Sequence, residues 1–110
     1  MSMVRVKIGK IVPGMRNLEV IGRVISKGER KRVETRFGPA DVAAAMLQDE
    51  TGTVRLNLWR WQIDAVEEGD LIMLVNAFAG SFGGNIELNV GRDGRIIVLE
   101  RKGDSRARER

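Results

Sequence analysis

Asp49-Glu50-Thr51-Gly52-Thr53-Val54-Arg55-Leu56-Asn57-Leu58-Trp59 is the run that decides how this chain folds. Its first four residues predict a tight reversal, because Asp and Gly accept the backbone angles of a turn. Strict alternation follows and predicts a strand, with Val54, Leu56 and Leu58 on one face and Arg55, Asn57 and Trp59 on the other. The aliphatic face belongs to a core. The opposite face carries a cation, an amide and the largest aromatic, and core packing gives no reason for a tryptophan there.

Working upstream, residues 41–48 are the simplest hairpin partner for that strand, although Val42-Ala43-Ala44-Ala45-Met46-Leu47 also has helical propensity. Residues 28–40, rich in charge and ending in Gly38-Pro39, read as a long loop or a twisted hairpin arm. Residues 17–27 predict the first long strand, with Leu18, Val20 and Val24 inward, Gly22 interrupting that face, and Glu19, Ile21, Arg23 and Ile25 outward. In the opening segment, Ile8, Ile11 and Met15 are expected to pack on the body, with a turn at Pro13-Gly14.

Downstream, alternation breaks over residues 60–68, which predict one or two helical turns closed by Glu68-Gly69-Asp70. Trp61 is expected there as a cap on the core, and Trp61, Ala65, Ile63 and Val66 can share a helical stripe. Residues 71–78 predict the fourth strand, loosened after Phe78 by Ala79-Gly80-Ser81. Gly83-Gly84 turns the chain. Ile86, Leu88 and Val90 then point inward, and Asn85, Glu87 and Asn89 outward. Arg92-Asp93-Gly94 predicts another turn before a closing strand over residues 95–100. Five main strands with a short helix between the third and fourth predict an all-β domain over residues 1–100, a five-stranded OB-fold Greek-key barrel. Residues 101–110 read as a basic, disordered tail.

Composition limits the function. The chain has 110 residues, enough for one modest core, and neither cysteine nor histidine. Disulfides, thiolate chemistry, the commonest general base and the commonest zinc ligand are thereby excluded. No apolar run is long enough for a transmembrane helix and no signal-peptide pattern occurs, so a cytoplasmic, nucleoid-associated protein without membrane partners is expected. The net charge of +4 suggests an anionic partner. Arg101, Lys102, Arg106, Arg108 and Arg110 against Asp104 and Glu109 give the tail +3 of it. Within the body, residues 23–36 are rich in cations, whereas Asp64, Glu67, Glu68 and Asp70 stand in a stretch with none, which predicts one basic end and one acidic end.

The ordered set of Asp49-Glu50-Thr51-Gly52, Leu58-Trp59, Glu68-Gly69-Asp70, Asn76-Ala77-Phe78, Phe82 and Gly84, with Lys10 to Met15 ahead of it, resembles the archaeal single-stranded-DNA-binding proteins. Their family takes in the simple human single-stranded-DNA-binding proteins and, more distantly, the OB domains of replication protein A. The resemblance spans roughly residues 7–100 and implies stacking of bases on Trp59, Phe78 and Phe82. In relatives the Phe78 position often holds a larger aromatic, and archaeal members often carry a long glycine-rich acidic tail where this one is short and basic.

Stacking contributes about 1–3 kcal/mol per base, so three platforms supply roughly 3–9 kcal/mol against an association cost on the order of 4–15 kcal/mol. Cations must supply the rest. Arg55, Arg23, Arg30, Lys31, Arg32 and Arg36 are the candidate phosphate partners, and Asn57 and Asn89 the candidates for base edges. The expected function is sequence-tolerant binding of single-stranded DNA in replication, recombination or repair, with single-stranded RNA open as the ligand. A domain that mainly binds replication or repair proteins is the alternative, for which outward Ile21, Ile25 and Val42 would serve. No enzyme is expected, since the carboxylates sit in turns and a helix end without a nucleophile or metal-ligand set, and no cofactor or metal is called for.

Overall fold

The computed structural model describes residues 3–102. Its strands are β1 (Val4–Arg5), β2 (Leu18–Lys27), β3 (Lys31–Thr35), β4 (Gly38–Asp49), β5 (Gly52–Trp59), β6 (Leu71–Phe82) and β7 (Asn85–Glu100), with one helix, α1 (Trp61–Ala65), between β5 and β6. The sheet order is β1-β2-β6-β7-β5-β4-β3, and β2 also pairs with β4. That extra pairing closes a ring of β2, β4, β5, β7 and β6. The OB barrel is therefore built from five strands, and the remaining two, β1 and β3, are additions at its ends. All pairings in the ring are antiparallel except β5 with β7.

The core follows from alternation. Leu18, Val20 and Val24 of β2, Leu47 of β4, Val54, Leu56 and Leu58 of β5, Ile72 and Leu74 of β6, and Leu88 and Val90 of β7 all turn inward and are buried. Ile8 and Ile11 of the opening segment join the core, and Met15 packs against it. Ile63 and Val66 come in from α1 and the segment after it.

Several elements differ from the sequence expectations. The charged stretch before β4 is a hairpin arm, β3 paired to the start of β4 from Lys31↔Val42 to Thr35↔Gly38. β6 does not loosen at Ala79-Gly80-Ser81 but runs on to Phe82, because Asn85 to Asn89 pair with it as far as the Gly83-Gly84 turn. Both glycines have positive φ, as a two-residue hairpin turn requires. Arg92-Asp93-Gly94 does not end a strand either. β7 is continuous, and its pairing jumps from Val90↔Ala77 to Arg95↔Val75, so that four residues bulge opposite Asn76. The turn-prone residues are spent on that bulge, which bends the strand round the barrel.

Trp61 is not a core cap: it is 62% exposed. The inward position of the first helical turn is taken by Gln62, whose Oε1 accepts from the Trp59 N–H at 2.9 Å and whose Nε2 donates to the Val90 carbonyl at 2.8 Å. With Gln62 and Ile63 inside, the helical period rotates Trp61 into solvent.

The predicted separation into a basic and an acidic end also fails. Three of the four carboxylates after β5, Asp64, Glu67 and Asp70, face cations from the end of β2, from the turn that follows it and from the C-terminal segment. Arg30 bonds Asp64, Lys27 lies 3.8 Å from Glu67, and the fully buried Asp70 accepts from Arg101 at 3.1 Å and from the Lys102 N–H at 3.0 Å. Residues 103–110 of the predicted tail lie outside the described residues.

The reversal at Asp49 is locked. Asp49 accepts the Ile8 N–H at 2.9 Å and the Thr51 N–H at 2.7 Å, and Thr51 Oγ1 accepts the Gly9 N–H at 2.7 Å. Burial pushes the Asp49 carboxyl up, but the hydrogen bonds from Ile8 and Thr51 outweigh it and hold the group below its ordinary value. Beside it, the Lys7–Glu50 pair raises the lysine and lowers the glutamate through their mutual hydrogen bond. The opening segment is thus clamped to the turn.

Candidate nucleic-acid interface

Cross-strand partners point to the same side of a sheet, so the register identifies one outer face. Ala44 of β4, Asn57 of β5, Asn89 of β7 and Phe78 of β6 form one row across four strands. Met46, Arg55, Glu87 and Gly80 form the next. Val42 and Trp59 lie on the other side of the first row, and Lys31 of the arm is paired to Val42. Phe82 ends β6 on this face, 73% exposed, and Phe78 is 42% exposed. A depression of about 660 Å³ lies between Arg55 of β5 and Phe82 and Glu87 beyond it, with Met46 among its lining residues.

A polar network joins these side chains. The Trp59 indole N–H donates to Asn89 Oδ1 at 2.9 Å, and Asn57 Nδ2 reaches the same oxygen at 3.3 Å. Asn57 Nδ2 also donates to Glu87 Oε1 at 2.9 Å, while Asn57 Oδ1 accepts from Arg55 Nε at 3.0 Å. Asn57 is 7% exposed, since the larger side chains on either side cover it. Its position on the outward face was legible, but its donors and acceptor are engaged by protein. It organises the face from beneath. The network leaves the half-buried Trp59 ring fixed at its N–H edge and the outer guanidinium nitrogens of Arg55 without a hydrogen bond among the described residues, with that side chain 49% exposed.

The remaining candidates divide. Lys31 joins the face through its register with Val42 and Trp59. Arg32 pairs with Asp41 on the other side of the hairpin, where Arg30 bridges Asp41 and Asp64. Arg36 stands 5.9 Å from the centroid of Phe37 at the tip of the arm, where that ring is 85% exposed. Arg23 is not brought to the face. On β2, its guanidinium bonds Glu100 and the Gly69 carbonyl. Glu87 belongs to the face and was not singled out in the sequence, although the alternation of Asn85, Glu87 and Asn89 already pointed it outward.

Chemically, the face offers flat rings on β5 and β6, which flank β7, with a cation beside them and oriented amides between. Residues 11–98 match the family described as single-stranded DNA binding protein Ssb-like, OB fold. The chain is 31% identical over 97 residues to the single-stranded DNA binding protein Ssb of Saccharolobus solfataricus, covering 88% of this chain and 66% of that protein. It is 31% identical over 81 residues to Replication factor A of Methanothermobacter thermautotrophicus, covering 73% of this chain and 10% of that one. This chain thus spans just under two thirds of the first relative and a small part of the second. Among solved structures, the replication factor A related protein of Methanobacterium thermoautotrophicum superposes with a TM-score of 0.74 at 27% identity, covering 87% of this chain and 91% of that one.

Proposed function

The chain belongs to the Ssb-like OB-fold family of single-stranded DNA binding proteins, and from that premise we propose that it binds single-stranded DNA, largely without regard to sequence, across the face of β4, β5, β7 and β6, in replication or repair. The observation that carries the reading is the row structure of that face. Trp59 of β5 and Phe78 and Phe82 of β6 stand exposed or half-exposed on the two sides of β7, with Arg55 on β5 beside them. Bases stack on the rings, at about 1–3 kcal/mol each, while Arg55, Lys31 and Arg36 meet phosphates. Arg30 and Arg32, each already paired with a carboxylate, contribute less. The reading is one of binding without a catalytic step. DNA is preferred to RNA as the ligand on the relatives' names alone, since no side chain on the face marks a 2′-hydroxyl reader. Replication or repair proteins are further partners in this reading, consistent with the greater length of Replication factor A. A soluble protein working at the nucleoid fits the same picture.

The test uses a Trp61→Phe background, so that Trp59 is the sole tryptophan reporter. Its fluorescence should respond to single-stranded DNA at concentrations where duplex has no effect. Trp59→Ala should weaken binding by about 1–3 kcal/mol, measured by anisotropy of labelled DNA. With about three phosphate contacts, log K should fall against log salt with a slope near −2. Equal affinity for duplex and single strand would remove the groove from the explanation.

A further inference from the structure

Glu87 is a carboxylate on a face proposed to bind a polyanion, and its surroundings give it a defined task. Its Oε1 is held by Asn57 Nδ2 at 2.9 Å and lies 3.9 Å from Arg55 Nε. Among the described residues, Oε2 accepts no hydrogen bond, and the side chain is 21% exposed. Opposite Glu87 on β6 is Gly80, where an added Cβ would meet nothing within 4 Å. Phe78 and Phe82 lie two residues to either side of Gly80 on the same face, each about 6.6 Å away along the strand. Glu87 therefore lines an open slot beside Gly80, with Phe82 as its wall and Phe78 in the next row, that ring leaning towards Gly91.

Two residues along β7, Asn89 is oriented without ambiguity. An indole N–H only donates, so the atom that receives it at 2.9 Å must be the amide oxygen. Its NH₂ group then faces outward and donates to no described residue. The face thus presents a fixed acceptor, Glu87, next to a fixed donor, Asn89.

We propose that this pair makes the groove discriminate among bases, favouring those whose edge sets an exocyclic amino group beside a ring-nitrogen acceptor, as cytosine and adenine do, over thymine. A base stacked in the slot turns its amino group to Glu87 and its ring nitrogen to Asn89. Thymine places a carbonyl oxygen where the amino group would be, against the carboxylate. The inference rests on the single-strand reading above and modulates it, as stacking supplies affinity and the Glu87–Asn89 pair supplies preference.

The comparison is between oligo(dC) and oligo(dT), two pyrimidines that differ at this edge, titrated at one salt concentration against the parent and Glu87→Gln. The parent should bind oligo(dC) about five- to tenfold more tightly than oligo(dT), within the discrimination expected of a good base-edge contact. Glu87→Gln keeps an oxygen for Asn57 but adds a donor that suits thymine, so the ratio should fall to about one, mainly by tighter binding of oligo(dT). If Glu87→Gln does not fold, Gly80→Val decides instead: it fills the slot, leaves the carboxylate in place and should lower the ratio likewise. Equal binding of both oligomers by the parent, with a parallel rise in Glu87→Gln, overturns the inference, leaves the single-strand reading standing, and makes Glu87 a mere repeller of phosphate. Failure of the parent to bind either oligomer overturns both.

Discussion

Two hairpin turns border the same barrel and are built on opposite principles. The one between β4 and β5 is closed by side chains: Asp49 and Thr51 hold two backbone N–H groups of the opening segment, and Asp49 holds Thr51 as well. The one between β6 and β7 has only Gly83 and Gly84 at its tip, both in the left-handed region, and none of the side-chain bonds of the first. Beside it stands Phe82, almost fully out of the core. Hydrogen bonds to a carboxylate make the first turn an anchor, whereas the second only has to present a ring. Stability is expected to depend on the first and ligand binding on the second.

The largest effect that would break this contrast is at Asp49. Asp49→Ala strips the acceptor from the Ile8 and Thr51 amides and should cost about 2–3 kcal/mol of stability in a denaturant melt, with single-strand affinity of the folded fraction unchanged. Phe82→Ala should do the reverse, costing about 1–2 kcal/mol of binding and leaving the melt in place. A lower melting temperature for Phe82→Ala would mean that the second turn is structural after all.

Acid sharpens the first half of the comparison. Because the Asp49 carboxyl is held below its ordinary value in the folded chain, its contribution is complete above the unfolded value of about 4 and is lost as pH falls through the depressed folded value. Asp49→Asn should therefore lose less stability than the parent between neutral pH and the region below about pH 4. An identical decline in both would assign acid sensitivity to other carboxylates. The smallest effect is expected at Lys7. Its pair with Glu50 is fully solvated, and Lys7→Ala should leave the melting temperature where it was.

Much of the barrel was legible because period-two alternation fixes which side chains go inside, and it did so for Leu18, Val54, Leu56, Leu58, Leu88 and Val90 without knowledge of their partners. The same parity placed Arg55, Trp59 and Asn89 on one outer face. What it could not supply was distance across strands. Arg23 shares the outward parity of its strand, yet that parity says nothing about which way round the barrel the strand lies. The acidic stretch after β5 looked unpaired because its partners, Lys27, Arg30 and Arg101, come from elsewhere in the chain. Trp61 was misread for a local reason. In a helix of five residues the inward side is set by Gln62 and Ile63 together, and an amide in the core beside one aliphatic leaves no room there for Trp61. Arg92-Asp93-Gly94 shows the converse: residues that favour a reversal can instead let a strand bulge and continue.

The two additions at the ends of the sheet have a bearing on crowding. A protein that coats a strand is held at high local density beside copies of itself, where an unpaired sheet edge invites the next molecule to join the ladder. Here the sheet begins with only two residues, one of them Arg5, and ends with a strand carrying Lys31, Arg32 and Glu34. A two-residue edge is too short to template another chain, and a short edge carrying Lys31, Arg32 and Glu34 keeps its charges in solvent, which disfavours pairing with a further strand. Under the proposed function, neither edge offers a neighbouring copy on the same DNA strand a ladder to extend.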